Sequence, residues 1–590
     1  MSRNLSELAF RKGLDGNLFD AYVAAAADSG TVAKPQAAAL AEATLVGSAT
    51  TFGAVSFYDF LKAENAGKRA YVCNGSACLT AGTQAAVHGA LRAHLKPDEI
   101  GHICCLGRCH ENGAFQLGGR NYSGKSPEQI AAIVKAATPA NAAAPAAANS
   151  SAPDGADRYF VGTNLAEPLL TAPAGDLAAF YAPLEKMLTT PAETLLAELK
   201  ASGLRGRGGA GFPTHLKWNA CRVATGSPKY IVCNADEGDP GAYTDRYLLE
   251  ERPHAVLFGM LAAGLITGAD VGILYVRAEY PEACDRVQAA IDEAARLGWN
   301  GAKLRGSGFS FRFKLVKGAG AYICGEETAL LASIEGGRPE VRVRPPFPTD
   351  AGLFGRPTVV NNVETFACIQ PIFARGGAAF AKTGSAASTG TKLTSLDGFF
   401  RRPGVYEVAM GTPLKTVIEE LGGGLRVPVK AIQIGGPLGG LVPRSHWDRL
   451  TVDFESFKSN GFLLGHGCMV CVPESFPLID YLIHLFDFTA QESCGKCFPC
   501  RLGSVRGREL LERAAGRAHS TGGHGGPGAY AAPADRAAPA SAATPADRQL
   551  FADLLDTLEQ GSLCALGGGV PLPIRNALQH FGAELKPYFR

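Results

Sequence analysis

The chain contains no uninterrupted apolar run of 18 residues, and its longest apolar stretch, Ala255 to Ile266, is broken by glycines. That stretch fits a buried helix and falls short of the roughly 20 apolar residues a membrane span needs. Charge of one sign is not in excess either: the net charge is +2 with 19% charged residues, so nothing points to a nucleic-acid partner. The first residues lack the basic start and apolar core of a signal peptide. These absences predict a soluble cytoplasmic protein without direct membrane insertion. At 590 residues the chain is too long for one core, and three to five domains are expected at ~100–200 residues each.

What the chain has in quantity is glycine and cysteine, 72 and 16 residues. Gly203-Leu-Arg-Gly-Arg-Gly-Gly-Ala-Gly-Phe-Pro-Thr-His-Leu-Lys-Trp218 frees the backbone to press N–H groups against an anion, with Arg205, Arg207 and Lys217 supplying positive charge. It is not the G-x-G-x-x-G fingerprint that follows a strand. Read with Cys233-Asn-Ala-Asp-Glu-Gly-Asp-Pro-Gly241 and Gly318-Ala-Gly-Ala-Tyr-Ile-Cys-Gly-Glu-Glu327, it predicts one nucleotide site.

Clustered thiols in a reducing compartment point to a metal or an iron–sulfur centre rather than to disulfides. Cys494-Gly-Lys-Cys497-Phe-Pro-Cys500, closed by the distant Cys564, is the strongest such cluster. Four thiolates at that spacing suit a 4Fe-4S centre, and zinc would accept them too. A second set, Cys73-x4-Cys78 and Cys105-x3-Cys109, lies near the N-terminus. Cys104 beside it, the pair Cys468 and Cys471, and the single Cys221, Cys233, Cys284, Cys324 and Cys368 read as small buried residues. His215, His519 and His524 lack a ligand-type spacing.

Along the chain, residues 1–66 read as a helical region and 67–137 as a small domain of alternating strands and helices. Residues 138–157 are almost all Ala, Pro, Asn and Ser, the composition of a linker. From 158 to 390, strand-length runs such as Val271 to Val276 alternate with helical spacings such as Val287, Ala290, Ile291, Ala294 and Ala295, predicting an open α/β domain with its ligand at one end of the sheet. Residues 391–472 are mostly β. Residues 473–590 are helical and carry the last cysteine cluster around a Gly/Ala/Pro/His-rich insertion at 514–546.

The three glycine-bearing segments, together with Arg344-Pro-Pro-Phe-Pro348 and Asn361-Asn-Val-Glu-Thr365, resemble the NADH-oxidising flavoprotein subunit of respiratory complex I. The same subunit serves as the diaphorase of NAD-reducing hydrogenases and NAD-dependent formate dehydrogenases. The resemblance covers roughly residues 158–590, and the N-terminal thiols resemble the thioredoxin-like 2Fe-2S subunit that partners it. It implies an α/β multidomain chain: a thioredoxin-like 2Fe-2S domain, a Rossmann-like FMN/NADH domain, an SLBB-like β-grasp domain and a C-terminal helical bundle with a 4Fe-4S cluster.

It also implies the site. Gly206, Gly208, Lys217, Asn234, Asp236, Glu237, Tyr322, Gly325, Asn361 and Asn362 line FMN. Glu326 and Glu327 lie where the dinucleotide reaches, with Glu327 contacting it and Glu237 and Glu327 in the catalytic role. Phe212 and Phe347 stack the adenine, and Arg344 stands where the family often has lysine, a change of geometry at constant charge. Cys494, Cys497, Cys500 and Cys564 hold the 4Fe-4S cluster; Cys73, Cys78, Cys105 and Cys109 hold the 2Fe-2S cluster.

The implied activity is reversible hydride transfer between NAD(H) and FMN, with electrons passed singly to the clusters. The implied partners are an iron–sulfur electron-transfer subunit and a catalytic hydrogenase or formate dehydrogenase subunit. Membership in respiratory complex I and a non-catalytic electron-wiring module are the alternatives.

Overall fold

The computed structural model describes residues 17–27, 30–44, 46–137, 159–517 and 543–590. The expected linker, most of the insertion, His519 and His524 lie outside these.

The first sheet has strands β1 (Ala70–Cys73), β2 (Ile100–Ile103), β3 (Phe115–Leu117) and β4 (Arg120–Tyr122) in the order β2-β1-β3-β4. β1 and β2 run parallel and β3 antiparallel to β1. Helices Gln84–Arg92 and Pro127–Ala136 bury Val87, Leu91, Ile130 and Val134 against Val72 and Phe115. The second of these helices starts at Ser126, whose hydroxyl accepts from the Gln129 amide while the Gln129 side chain accepts from the Ser126 N–H, so two otherwise unpaired donors are satisfied.

β5 (Phe160–Thr163) leaves its sequence neighbours and pairs in parallel with a later strand, Gly404–Ala409. The expected division between 158–390 and 391–472 therefore separates this strand from the sheet it joins. The strand is four residues long and partly exposed, so no periodicity marks its partner.

The central sheet comprises β6 (Tyr230–Ala235), β7 (Val271–Val276), β8 (Arg312–Lys317) and β9 (Thr358–Asn362), all parallel, in the order β8-β7-β6-β9. The chain steps outward from β6 to β8 and then returns to the other side of β6. The crevice beyond the carboxyl ends of β6 and β9 is thus the switch point at which open α/β sheets hold ligands.

Side chains of β6 alternate between two cores. Ile231, Cys233 and Ala235 face helices Pro253–Thr267 and Pro281–Arg296. Tyr230 and Val232 face the opposite layer. That layer includes the N-terminal helices: Phe19, Tyr22 and Tyr58 pack with Val232, Ile273 and Tyr275, and the Tyr58 hydroxyl donates to Ser333 Oγ at 2.8 Å. The N-terminal helical region therefore completes the core of the central domain. Of the helical face expected at 287–295, only Ala295 is exposed.

The third sheet combines β5 with β10 (Thr391–Leu396), β11 (Gly404–Ala409), β12 (Val429–Ile434), β13 (Gly440–Pro443) and β14 (Cys468–Pro473), in the order β13-β12-β14-β10-β11-β5. Cys468 and Cys471 are buried in β14, as the strand reading requires. The C-terminal helices Leu478–Glu492, Phe498–Ala514, Arg548–Gly561 and Pro571–His580 close around Leu482, Phe486, Leu511, Leu555 and Ile574.

Candidate functional site

β6 and β9 are adjacent in register, Cys233 opposite Asn361 and Asn234 opposite Asn362, so the two Asn-bearing strand ends open side by side. Asn234 Nδ2 donates to the Gly325 carbonyl at 2.7 Å, which fastens the Gly318–Glu327 segment over the end of β6. The helix that follows, Glu327–Ile334, begins there, and Glu326 caps it by accepting from the Thr328 and Ala329 amides, both at 2.9 Å. Asn362 caps the next helix by accepting from the Thr365 amide at 3.2 Å. Trp218 Nε1 donates to Asn361 Oδ1 at 2.9 Å and pins the glycine-loop helix to β9.

The glycine loop comes down on this junction. A Cβ on Gly208 would stand 3.0 Å from Asn362 Cβ, so a larger residue would have to push Asn362 aside. Lys217, one turn into helix Thr214–Val223, reaches Glu327 Oε2 at 3.2 Å and the Val360 carbonyl at 3.0 Å. Arg344 Nη1 donates to Glu327 Oε1 at 3.0 Å from the other side, and Glu327 thus sits between two cations. Phe212 and Phe347 are exposed to 51% and 52%, leaving aromatic surface free for stacking.

The two arginines of the glycine loop do not join in. Arg205 donates to the Gly211 carbonyl and pairs with Glu455; Arg207 is wholly buried and donates to the carbonyls of Arg205 and Thr389. They brace the loop, and the cations at the junction are Lys217 and Arg344, both paired with Glu327.

Glu237 also departs from its expected role. Its oxygens accept from the Thr244 hydroxyl, the Asp245 and Arg246 amides and the Tyr280 hydroxyl at 2.9–3.2 Å, and the residue is 4% exposed. A carboxylate with four internal donors positions helix Thr244–Glu251 and has no lone pair directed at reactants. Burial, and then the Asp245 charge, push its carboxyl up to about 8, opposed by His466. Tyr322 likewise turns its hydroxyl to Asp239 Oδ1, at 2.6 Å. Gly206 keeps the loop closed by donating its N–H to the Phe212 carbonyl at 2.9 Å. One buried oxygen at the site, Asp236 Oδ2, has no protein partner, which suits a cradle that must accept from a ligand's polar edge.

The N-terminal thiols converge. Cys105 and Cys109 Sγ lie 3.6 Å apart, and Cys73 and Cys78 lie within hydrogen-bonding reach of each other, with Cys105 also close to Cys73. All four are buried, and amide N–H groups of Gly107 and Gly241 point at Cys105 and Cys109 Sγ at 3.4 and 3.2 Å. Four buried thiols ringed by N–H donors fit a 2Fe-2S cluster, whose negative sulfurs such donors stabilise. Cys104 is not in the ring; it lines a polar cleft with Asp59, Lys62 and Glu492.

The C-terminal thiols gather at three helix ends. Cys494 follows helix Leu478–Glu492, Cys497 and Cys500 open helix Phe498–Ala514, and Cys564 precedes helix Ala565–Gly569. Burial pushes the Cys500 thiol up to about 12, eased by Ser493 and reinforced by Cys497, Cys564 and Cys494, and all four cysteines pack into one cluster. A Cβ on Gly567 would fall 2.6 Å from Cys500 Cβ, which is how the distant Cys564 is brought in. The donor set fits a 4Fe-4S cluster.

Comparison with known proteins agrees with this geometry. Residues 199–371 match the Nuo51 FMN-binding domain, residues 480–523 and 532–588 the NADH-ubiquinone oxidoreductase-F iron–sulfur binding region, and residues 11–138 the thioredoxin-like 2Fe-2S ferredoxin. The chain is 42% identical over 411 residues to the HndC subunit of the NADP-reducing hydrogenase of Solidesulfovibrio fructosivorans, covering 69% of this chain and 78% of that protein. It is 40% identical over 408 residues to the F 2 subunit of the NADH-quinone oxidoreductase of Rhizobium meliloti, covering 68% and 91%.

The chain belongs to the family of NADH-quinone oxidoreductase F subunits.

A solved structure of an NAD+-reducing NiFe-hydrogenase in the H2-reduced state superposes with a TM-score of 0.79 at 28% identity, over 97% of this chain and 92% of that one. As a member of this family joined to a 2Fe-2S ferredoxin domain, the protein is an NAD-linked oxidoreductase subunit that uses FMN, a 4Fe-4S cluster and a 2Fe-2S cluster. Among the described residues no helix is long and apolar enough to cross a membrane.

Legible from the motifs were Lys217, Asn234, Asp236, Gly325, Glu327, Asn361 and Asn362, which the fold brings to one junction. Missed was His466, a buried side chain 3.2 Å from Asp245; a lone histidine in Gly465-His-Gly467 carries no spacing signal.

Proposed function

We propose that the chain is the diaphorase subunit of an NAD-linked hydrogenase or formate dehydrogenase complex, exchanging hydride with NAD(H) and electrons with a metal-containing partner. The carrying observation is the fusion: likeness to the NAD+-reducing hydrogenase chain runs over 97% of this chain, whereas likeness to the Rhizobium F 2 protein spans about two thirds of it. Service in a respiratory NADH-quinone oxidoreductase is the second reading, favoured by the 91% coverage of that Rhizobium protein.

FMN, when bound, supplies two-electron hydride exchange on one side and single-electron release on the other. The protein's part is to hold and orient. Lys217 is the phosphate partner; Asn234, Asp236, Asn361 and Asn362 receive the ring and ribityl groups; Gly206, Gly208 and Gly325 allow close backbone approach. Glu327 and Arg344 contact the dinucleotide, and Phe212 and Phe347 stack its adenine. No protein acid or base acts on the transferred hydride, so orientation supplies the rate.

The surface around Cys497 and Cys564 suits the electron partner. Phe498, Leu502 and Leu563 are exposed to 67%, 49% and 39% beside these two part-exposed ligands, a short apolar rim for a second iron–sulfur protein.

The partner is tested by anaerobic purification of the chain from its native host, with nickel and molybdenum analysis and assay of hydrogen- or formate-dependent NAD reduction. Co-purified nickel or molybdenum with the matching activity supports the proposal. Recovery only in membrane fractions with quinone reductase activity supports the second reading.

A further inference from the structure

Directly behind the glycine loop lies a buried cluster that the nucleotide motifs do not use. The turn at Gly465 packs its backbone against Gly209, where a Cβ would stand 3.5 Å from the Gly465 Cα, and it carries His466 inward. His466 Nε2 is 3.2 Å from Asp245 Oδ2 and 3.6 Å from Glu237 Oε1, and its Nδ1 is 3.4 Å from the Thr244 hydroxyl. His466, Asp245 and Glu237 are 6%, 2% and 4% exposed. The same Asp245 Oδ2 accepts from Asn362 Nδ2 at 2.6 Å, so the cluster touches the proposed cradle through one shared oxygen.

The other charges nearby are already engaged. Lys392, whose Cε comes close to Gly467, is bound to Glu364; Arg277 is bound to Glu279 and to the carbonyls of Glu237 and Cys105. Asp239 is bound by Tyr322, and Arg246 lies 3.9 Å from Glu250. Both carboxylates of the cluster, Asp245 and Glu237, pair with the one imidazole.

We propose that His466 is a positioning residue for the flavin reaction: its imidazolium balances the Asp245 carboxylate behind the cradle and, through Asp245, fixes the amide of Asn362. The inference rests on reading the cradle as the FMN site. Reduction of a flavin adds negative charge to the site, and a buried cation stabilises that charge far more than a solvated one. Removing the cation leaves uncompensated carboxylate and lowers the flavin potential. Although burial opposes it, the Asp245 carboxylate and then Glu237 hold the His466 proton, with a pKa of about 9. The balance is therefore in force at neutral pH and is lost in alkali.

The test is an anaerobic redox titration of the full-length, FMN-loaded protein between pH 6 and 10, following flavin absorbance. In the wild type the midpoint falls more steeply with pH around pH 9 than below it. His466→Gln retains FMN, has a lower midpoint at pH 7 and loses the steepening. Asp245→Asn, a second variant, frees the His466 proton, so it loses the steepening around pH 9 and carries the test if His466→Gln does not fold. A His466→Gln midpoint equal to wild type, a steepening retained in either variant, or an unbroken wild-type profile overturns the inference. Absence of flavin from the wild-type protein, read from acid-extracted flavin before any titration, overturns the cradle reading and this inference with it.

Discussion

The amide nitrogen of Gly241 lies 3.2 Å from the Sγ of Cys109, joining the loop after β6 to the proposed 2Fe-2S ligands across a domain boundary. The same segment begins at Asn234 in the proposed flavin cradle, so one short stretch of chain connects the two proposed redox sites. Gly241 has φ +100° and an added Cβ would fall 2.4 Å from Val470 Cγ2. Gly241→Ala is therefore expected to displace the loop and alter the 2Fe-2S electron paramagnetic resonance signal of the reduced protein while leaving the 4Fe-4S signal unchanged.

The C-terminal thiols make a stoichiometric prediction. Cys564→Ser removes the ligand that a close-approaching Gly567 delivers, and iron is expected to fall from about six to about two per chain, the difference between a 4Fe plus a 2Fe centre and a 2Fe centre alone. Iron analysis with flavin assay checks it; retained FMN shows that the fold survives.

Lys217 and Arg205 separate a binding cation from a bracing one. Lys217→Ala is expected to cut FMN content after purification at least tenfold, the equivalent of the ~1.5–3 kcal/mol of one charged hydrogen bond. Arg205→Ala removes a part-exposed pair with Glu455, worth about 1 kcal/mol or less, and one brace to the Gly211 carbonyl, and lowers flavin content far less than Lys217→Ala does.

Glu327, held between Lys217 and Arg344, is proposed to contact the dinucleotide. Glu327→Gln is expected to raise KM for NADH about tenfold with kcat little altered, the signature of a lost binding contact, in steady-state dye-reduction kinetics.

Alkaline pH should destabilise the protein through the buried cluster. The His466 pKa is raised from 6.5 to about 9, so its contribution is complete below pH 6.5 and lost as pH rises through 9. Glu237, raised from 4.5 to about 8, adds in the same direction: its contribution is complete below pH 4.5 and is lost as pH rises to about 8. Together they predict a fall on the order of a few kcal/mol between pH 6.5 and 9.5, read as the denaturant midpoint of the holoprotein. His466→Gln should flatten that fall.

Much of the candidate site was legible because its motifs are local. Asn234 and Asn362 each sit at the end of a strand with a following loop, and Gly208 is needed wherever backbone must pass a side chain. The cysteine spacings likewise declared two clusters before their thiols were seen to converge. The illegible parts depend on long-range placement. Arg205 and Arg207 carry charge suited to phosphate, and only the fold shows their guanidiniums tied to Glu455 and to Thr389. Glu237 looks like a site acid in sequence, yet the helix starting at Thr244 takes up its oxygens. His466 and Asp245 are 221 residues apart, and β5 finds its partner strand far along the chain at Gly404; no local pattern encodes either pairing.

The most direct test of the central claim is an anaerobic NADH titration of the purified chain, followed by visible absorbance with flavin and iron assayed in parallel. The account predicts that NADH bleaches a combined flavin and iron–sulfur spectrum and supports reduction of an artificial dye. Folded, cofactor-loaded protein whose spectrum responds to neither NADH nor NADPH would contradict it and leave an electron-wiring module in its place.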